Sequence, residues 1–118
     1  MPRVLVHLAT GPENPTRAAL AFLVARTAAE EGHEVQVFLA GDAVQFAREE
    51  TAAAAVGLGT GAVAEHLEAL GVAGVPIFLS GMSSKARGID ASTRAGVELV
   101  PPQKLVELAV WSETTLTY

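Results

Sequence analysis

The feature that most constrains this chain is a strand, a long helix and a second strand, read in that order from its start. Val4 to Ala9 is short, apolar and rich in β-branched residues, as a buried strand should be. It stops at Thr10-Gly11-Pro12. Asn14-Pro15 then opens a helix, with Asn14 as N-cap and Pro15 at the first helical position. The helical run Ala18 to Glu31 carries Leu20, Leu23, Val24 and Ala28 on one side, and Gly32 is placed to end it. Phe22 lies off that stripe, which predicts a second buried edge, against another subunit for instance. Glu34 to Leu39 is the second strand. A helix of this length between two strands is a crossover, so the strands are parallel and the connection right-handed.

The rest of the chain repeats the alternation. Asp42 followed by Gln45 has capping-box spacing and predicts a second helix through about Glu50. Thr51 to Gly61 mixes alanines with Gly57, Gly59 and Gly61, and predicts a frayed helix end followed by a mobile loop. A phosphate-loop reading of these glycines fails on context, since no strand precedes them and no Gly-Lys-Ser/Thr follows. Thr60 is the expected cap of a third helix, Ala62 to Leu70, closed by Gly71, with Val63, Leu67 and Leu70 as its apolar stripe. Val75 to Leu79 is continuous and apolar, as a central parallel strand is, and Pro76 sits near its start. Ser83 or Ser84 is then a candidate cap for a short helix through Arg87, stopped by Gly88. Asp90 is a candidate cap for a further turn over Ala91 to Arg94. A strand Val97 to Val100 follows, broken by Pro101-Pro102. A last helix runs from Gln103 to about Ser112, with Leu105, Leu108 and Ala109 facing one way. Thr114 to Tyr118 reads as an edge strand.

Composition narrows the class of function. At 118 residues the chain is one domain, residues 1–118. It can bury roughly two-thirds of its unfolded surface without a disulfide or a metal. It contains no cysteine, which removes disulfides, thiolate metal sites and thiol chemistry together. The net charge is −5, with acids and bases scattered, so no basic patch suggests a nucleic-acid partner. No apolar run could span a bilayer. The opening Met-Pro-Arg-Val-Leu-Val shows no signal-peptide pattern, and a cytoplasmic location is expected.

In open α/β sheets ligands bind beyond the carboxyl ends of the strands. Three strand ends therefore mark a candidate site: Thr10-Gly11, Gly41-Asp42 and Ser80 to Ser84. Free N–H groups of the helices that follow suit anions there. The candidate ligand-binding residues are Thr10, Gly11, Asn14, Ser80, Gly81, Ser83, Ser84 and Arg87, with Arg17 and Lys85 able to add charge. The competing reading is that Asn14, Asp42 and Ser83 simply cap helices. His7, inside the first strand, reads as a core or interface histidine. His33 sits past a helix end, and His66 is expected on the solvated side of the third helix. The three lack metal-ligand spacing, and no Gly-x-Ser-x-Gly elbow surrounds a serine. No catalytic residue, metal ligand or cofactor is assigned.

Over nearly the whole chain the residues resemble the DsrE/DsrF/YchN-like family of small sulfur-relay and related α/β proteins. The likeness is strongest in VPIFLSGMSSKARGID, then AGVELV, KLVELAVW and the terminal TLTY, with GPENPTRAALAFL and Val35 to Val44 in the same style. The resemblance implies a three-layer α/β/α sandwich around a mainly parallel five-stranded sheet, and homo-oligomers, commonly trimers or hexamers. It also implies an acceptor cysteine at the end of the third strand, or a Cys-x-x-Cys in YchN-like relatives. Here the matching positions are Ser80 and Ser83. A hydroxyl is un-ionised at neutral pH and forms no persulfide. The expectation is therefore a non-catalytic oligomer that binds a small molecule or anion at the strand ends. The alternatives are a structural accessory subunit beside cysteine-bearing sulfur-relay homologues, and a hydrolase using Ser80, for which no base or orienting acid is in place. Phe22, Phe46 and Trp111, outside the simple apolar stripes, support an oligomer independently of the resemblance.

Overall fold

The structure, a computed structural model, describes residues 2–118; Met1, the start of the expected N-terminal segment, lies outside the described residues. In order the elements are β1 (Arg3–Leu8), α1 (Pro15–Glu30), β2 (Glu34–Leu39), a 3-10 helix (Gly41–Ala47), α2 (Glu49–Ala54), β3 (Val56–Gly57), β4 (Gly61–Ala62), α3 (Val63–Val72), β5 (Ile77–Ser80), α4 (Gly81–Ala86), β6 (Val97–Val100), α5 (Pro102–Trp111) and β7 (Thr114–Thr117). Five strands form one sheet in the order β6-β5-β2-β1-β7. All of its pairings are parallel, and β7 is an edge, as its Thr-rich sequence predicts. Among the described residues no helix is long and apolar enough to cross a membrane.

Period-two alternation divides the sheet's side chains between two cores. Val4, Val6 and Leu8 of β1 join Val35, Val37 and Leu39 of β2 and Leu79 of β5 under α1, α2 and α3. Leu5, Phe38, Phe78 and Val100 face the other way, beneath Leu108 of α5. The sheet is thus flanked by helices on both sides, and one side carries most of them.

Helix α1 starts where its sequence says. The Asn14 side chain accepts from the Arg17 N–H at 3.1 Å, and Pro15 occupies the first turn. Its buried face, however, is Ala18, Ala19, Ala21, Phe22 and Ala25. Leu20, Leu23 and Val24 turn away from it and stay partly exposed. The reason is packing distance: four alanines let the helix lie close to the sheet, and the larger side chains do not fit in that gap. Phe22 is not a second edge. It is 1% exposed and meets Phe46 edge-to-face, centroids 5.7 Å apart. Both phenylalanines are core, and Trp111 is half-buried beneath the Arg3 guanidinium.

Other local expectations yield to long-range partners. Asp42 caps no helix: the 3-10 turn that contains it has no side-chain cap, because its carboxylate is taken by Arg87. Thr51 to Gly61 is not a frayed end and a mobile loop. It forms α2 and then a two-residue antiparallel ladder, Val56↔Ala62 and Gly57↔Gly61. Thr60 does not cap α3. Its hydroxyl donates to the Thr16 carbonyl at 3.0 Å. Helix α3 runs on through Gly71 to Val72. His66, expected on the solvated side, is 4% exposed. Its Nε2–H donates to the Thr60 carbonyl at 2.8 Å, which leaves Nδ1 to accept from Arg26 at 3.5 Å. Gly61 has φ +84°, and a side chain there would meet the His66 ring at 2.9 Å. Ser80 caps α4, not Ser83 or Ser84. Asp90 closes a turn through the Ser92 N–H and hydroxyl. Ala109 of α5 is exposed.

His7 lies on β1 with its ring edge-to-face against Phe38 at 5.9 Å. Its Nε2 is buried without a partner. Burial pushes its pKa below the usual 6.5, so the unfolded chain binds the proton more readily than the folded one. The stability this contributes is complete above about pH 6.5 and is lost as pH falls from there toward the folded pKa. Urea unfolding of the native protein should show a falling midpoint across that window, and His7→Leu should flatten the profile. Phe22→Ala should cost about 3–5 kcal/mol in the same assay, as large-to-small changes in a closed core do. Leu23→Ala should cost clearly less than Phe22→Ala.

Candidate functional site

A parallel sheet delivers every strand to the same edge, and the ends of β1, β2 and β5 meet there. The β5–α4 junction is the centre of the site. Ser80 ends the strand and its hydroxyl oxygen accepts the Ser83 N–H at 3.2 Å, capping α4. Ser83, one turn on, accepts the Gly41 N–H at 2.9 Å. That second bond ties the loop after β5 to the end of β2. Both serine oxygens act as acceptors in these contacts, so both hydroxyl protons are left to point elsewhere.

Arg87 draws the same region together. Its Nη2 and Nε donate to Asp42 Oδ1 at 2.9 and 3.3 Å, and its Nη1 donates to the Ser83 carbonyl at 3.0 Å. The guanidinium is therefore already matched by a carboxylate, and the local charge is close to neutral. Arg48 supports it from behind, donating to the Arg87 carbonyl at 2.6 Å and to Gln45 at 3.2 Å. Gly11 completes the contact between strand ends. A β-carbon there would lie 2.5 Å from the Asp42 carbonyl oxygen, so only glycine lets the β1 loop approach Asp42. Its N–H is held by the Glu13 carboxylate at 2.9 Å.

The candidate residues fall into groups. Gly11, Ser83 and Arg87 meet Gly41 and Asp42, and Ser80 joins them through the Ser83 N–H, while Gly81 lies against Val100 of β6. Thr10 is half-buried beside Gly11. Asn14 is spent on capping α1. Ser84 is fully buried, and its Oγ has no hydrogen-bond partner. Arg17 and Lys85 are exposed. Sequence reasoning missed Asp42 as the partner of Arg87, and missed Arg48 altogether. The spacing of Asp42 from Gln45 suggested a local cap, and nothing local signals a bond across 45 residues.

Chemically the site presents hydroxyl and guanidinium donors. A serine nucleophile needs a base within hydrogen-bond reach. Among the described residues no histidine bonds to Ser80, Ser83 or Ser84. His7 packs on Phe38, His33 lies beside Glu31 and His66 holds Thr60.

Ser84 gives the site a direct stability test. A buried hydroxyl without a partner costs about 1–3 kcal/mol of desolvation. Ser84→Ala should therefore raise the urea midpoint, by an amount equivalent to about 1 kcal/mol or more. A fall in the midpoint would show that the hydroxyl is bonded after all.

Comparison with known proteins agrees with this architecture. No curated protein sequence matches the chain. Among solved structures, the crystal structure of the YchN protein from E. coli superposes with a TM-score of 0.79 at 23% identity, covering 100% of both chains. At that identity the likeness is one of fold. The family model described as DsrE/DsrF-like matches residues 3–118. With that match spanning all but the first two residues, the chain belongs to the DsrE/DsrF-like family.

Proposed function

We propose that this chain is a non-catalytic, cytoplasmic DsrE-like protein that assembles with copies of itself and holds a small polar ligand at the C-terminal ends of its strands. The observation that supports this reading is the pair of serine hydroxyls on the β5–α4 loop. Their oxygens are occupied by N–H groups, while their protons are free to donate. The reading counts Thr10, Gly11, Gly81, Ser84 and Arg87 as further ligand contacts, with Asn14 at the start of α1 beside them. Sulfur transfer is no part of the reading, because a chain without cysteine has no thiolate to carry a persulfide.

The Asp42–Arg87 pair decides the ligand's charge. A guanidinium already matched by a carboxylate attracts a second anion weakly. The ligand is therefore a neutral molecule or monoanion with acceptor oxygens, and a polyphosphate is disfavoured.

A second reading, a structural subunit in a sulfur-relay complex whose homologous partners carry the cysteines, is favoured by a different observation. The loop is closed by its own hydrogen bonds, from Ser80 to Ser83 to Gly41, and needs no ligand to hold its shape.

Thermal shift separates the two. With acetate as the probe, the ligand reading expects a rise in Tm that Ser80→Ala or Arg87→Ala removes. With inorganic phosphate it expects a larger response in Asp42→Asn than in the unaltered protein, since that change uncovers the Arg87 charge. Shifts that are absent, or that ignore all three substitutions, sink the ligand reading. Co-purification with a cysteine-bearing homologue from the native host would then support the subunit reading.

A further inference from the structure

The two cores of the sheet are closed very unequally. Helices α1 and α3 bury five and four side chains. Helix α5 buries one, Leu108, and it is the only helix that contributes to the second core. Leu105 and Trp111 are half-buried beside Leu108, while Val106, Ala109 and Val110 stay exposed. The ends of α5 are lightly tied as well. It starts at Pro101 and Pro102 without a side-chain cap, and neither proline has an N–H to donate. Its last turn is held to β1 by Arg3, whose Nε donates to the Trp111 carbonyl at 2.6 Å. Elements with so few buried apolar anchors open locally before a domain unfolds.

His7 stands at the margin of the core that α5 closes. Alternation puts Arg3, Leu5 and His7 of β1 on the α5 face, and register sets His7 between Phe38 and Thr117. Its ring meets Phe38, a member of that core, and Nε2 is buried without a partner. A protonated ring would bring a charge to this position, and no carboxylate faces it. On the same face β2 offers Gln36 and Phe38, and β7 offers Thr115 and Thr117, none of them charged. From α5, Glu107 is paired with Lys104 at 3.6 Å, and Lys104 lies over the Phe78 ring. Arg3 is a further cation, paired with Glu113 at 3.7 Å. Glu13, in the loop after β1, holds the Gly11 N–H. Glu98 is on β6, three strands away. Tyr118 bonds His7 through the backbone and packs its side chain on the opposite core.

We infer that α5 is a proton-controlled cover: protonation of His7 favours a state in which α5 lifts from the sheet, His7 turns into water, and Leu5, Phe38 and Phe78 are uncovered. Hydration couples the two events. With α5 in place the imidazolium is neither fully hydrated nor paired, and with α5 away it is hydrated. The direction follows from the same geometry. Burial holds the His7 pKa below 6.5 in the closed form, and opening returns it to its ordinary value. Closure is therefore complete above about pH 6.5 and weakens as pH falls from there toward the closed-form pKa. Over that window the open fraction grows by up to about tenfold per pH unit, the limit for one proton. Helices α1 and α3, with more buried anchors on the other face, stay closed.

Hydrogen exchange of the backbone amides in the native protein tests this, with each rate corrected for the intrinsic effect of pH. Between about pH 7.5 and about pH 5.5, protection of the α5 amides should fall by up to about tenfold per unit below pH 6.5. Protection of the α1 and α3 amides should hold. His7→Leu and His7→Phe both fill the position without titrating, and two variants guard against one that does not fold. In each, α5 protection should be independent of pH. The inference is overturned if α5 protection in the native protein does not fall, if it falls in step with α1 and α3, or if it still falls in a folded His7 variant.

Discussion

Everything in this molecule depends on the sheet being parallel throughout. Parallel neighbours cannot be joined by a tight hairpin, so each connection must cross a face of the sheet and return. The helices are that return path, and they cover both faces. The same geometry sends the ends of β1, β2 and β5 to one edge. Three loops far apart in sequence therefore have to share a small space. Gly11, Gly41 and Ser83 meet because of the sheet order, and no local preference of those residues would bring them together.

Sharing that space creates the lock between Asp42, Arg87 and Ser83. An exposed ion pair of this kind contributes little by itself, about 0–1 kcal/mol. Its consequence is more electrostatic than energetic. It turns a loop that would carry a net positive charge into one close to neutral, and it fixes Arg87 against the Ser83 carbonyl. The same hydrogen bonds that make the loop rigid also use up the groups that would otherwise grip a strongly charged ligand.

How far these features can be read from sequence depends on whether their causes are local. The strands were legible because apolar, β-branched runs ending in glycine or polar residues mean much the same in any parallel sheet. Asn14-Pro15 was legible because the cap and the first turn interact only with each other. That the loop after β5 would meet the end of β2 followed from strand direction alone. Phe22 was not legible, because alanines set the helix-to-sheet distance and only that distance decides which large side chain fits. Asp42 and Thr60 both had good local roles as caps, and each was drawn off by a distant partner, Arg87 and Thr16. His66 looked solvated because its partners, Thr60 and Arg26, lie on other elements. The hairpin was missed for the same reason: two ladder pairs are too few to form alone, and its anchors are on α1 and α3.

The serine at position 80 shows how one helix start can serve oxygen and sulfur differently. The start of a helix presents N–H groups and the positive end of a dipole, and a thiol placed there ionises more easily. A hydroxyl in the same place does not ionise, but its oxygen is among the best acceptors for those N–H groups. Ser80 uses it in that way, bonding the Ser83 N–H. The geometry that would activate sulfur thus stabilises the loop when oxygen is present. A thiol there would be a weaker acceptor on a longer bond to carbon, so the 3.2 and 2.9 Å contacts that close the loop would have to lengthen.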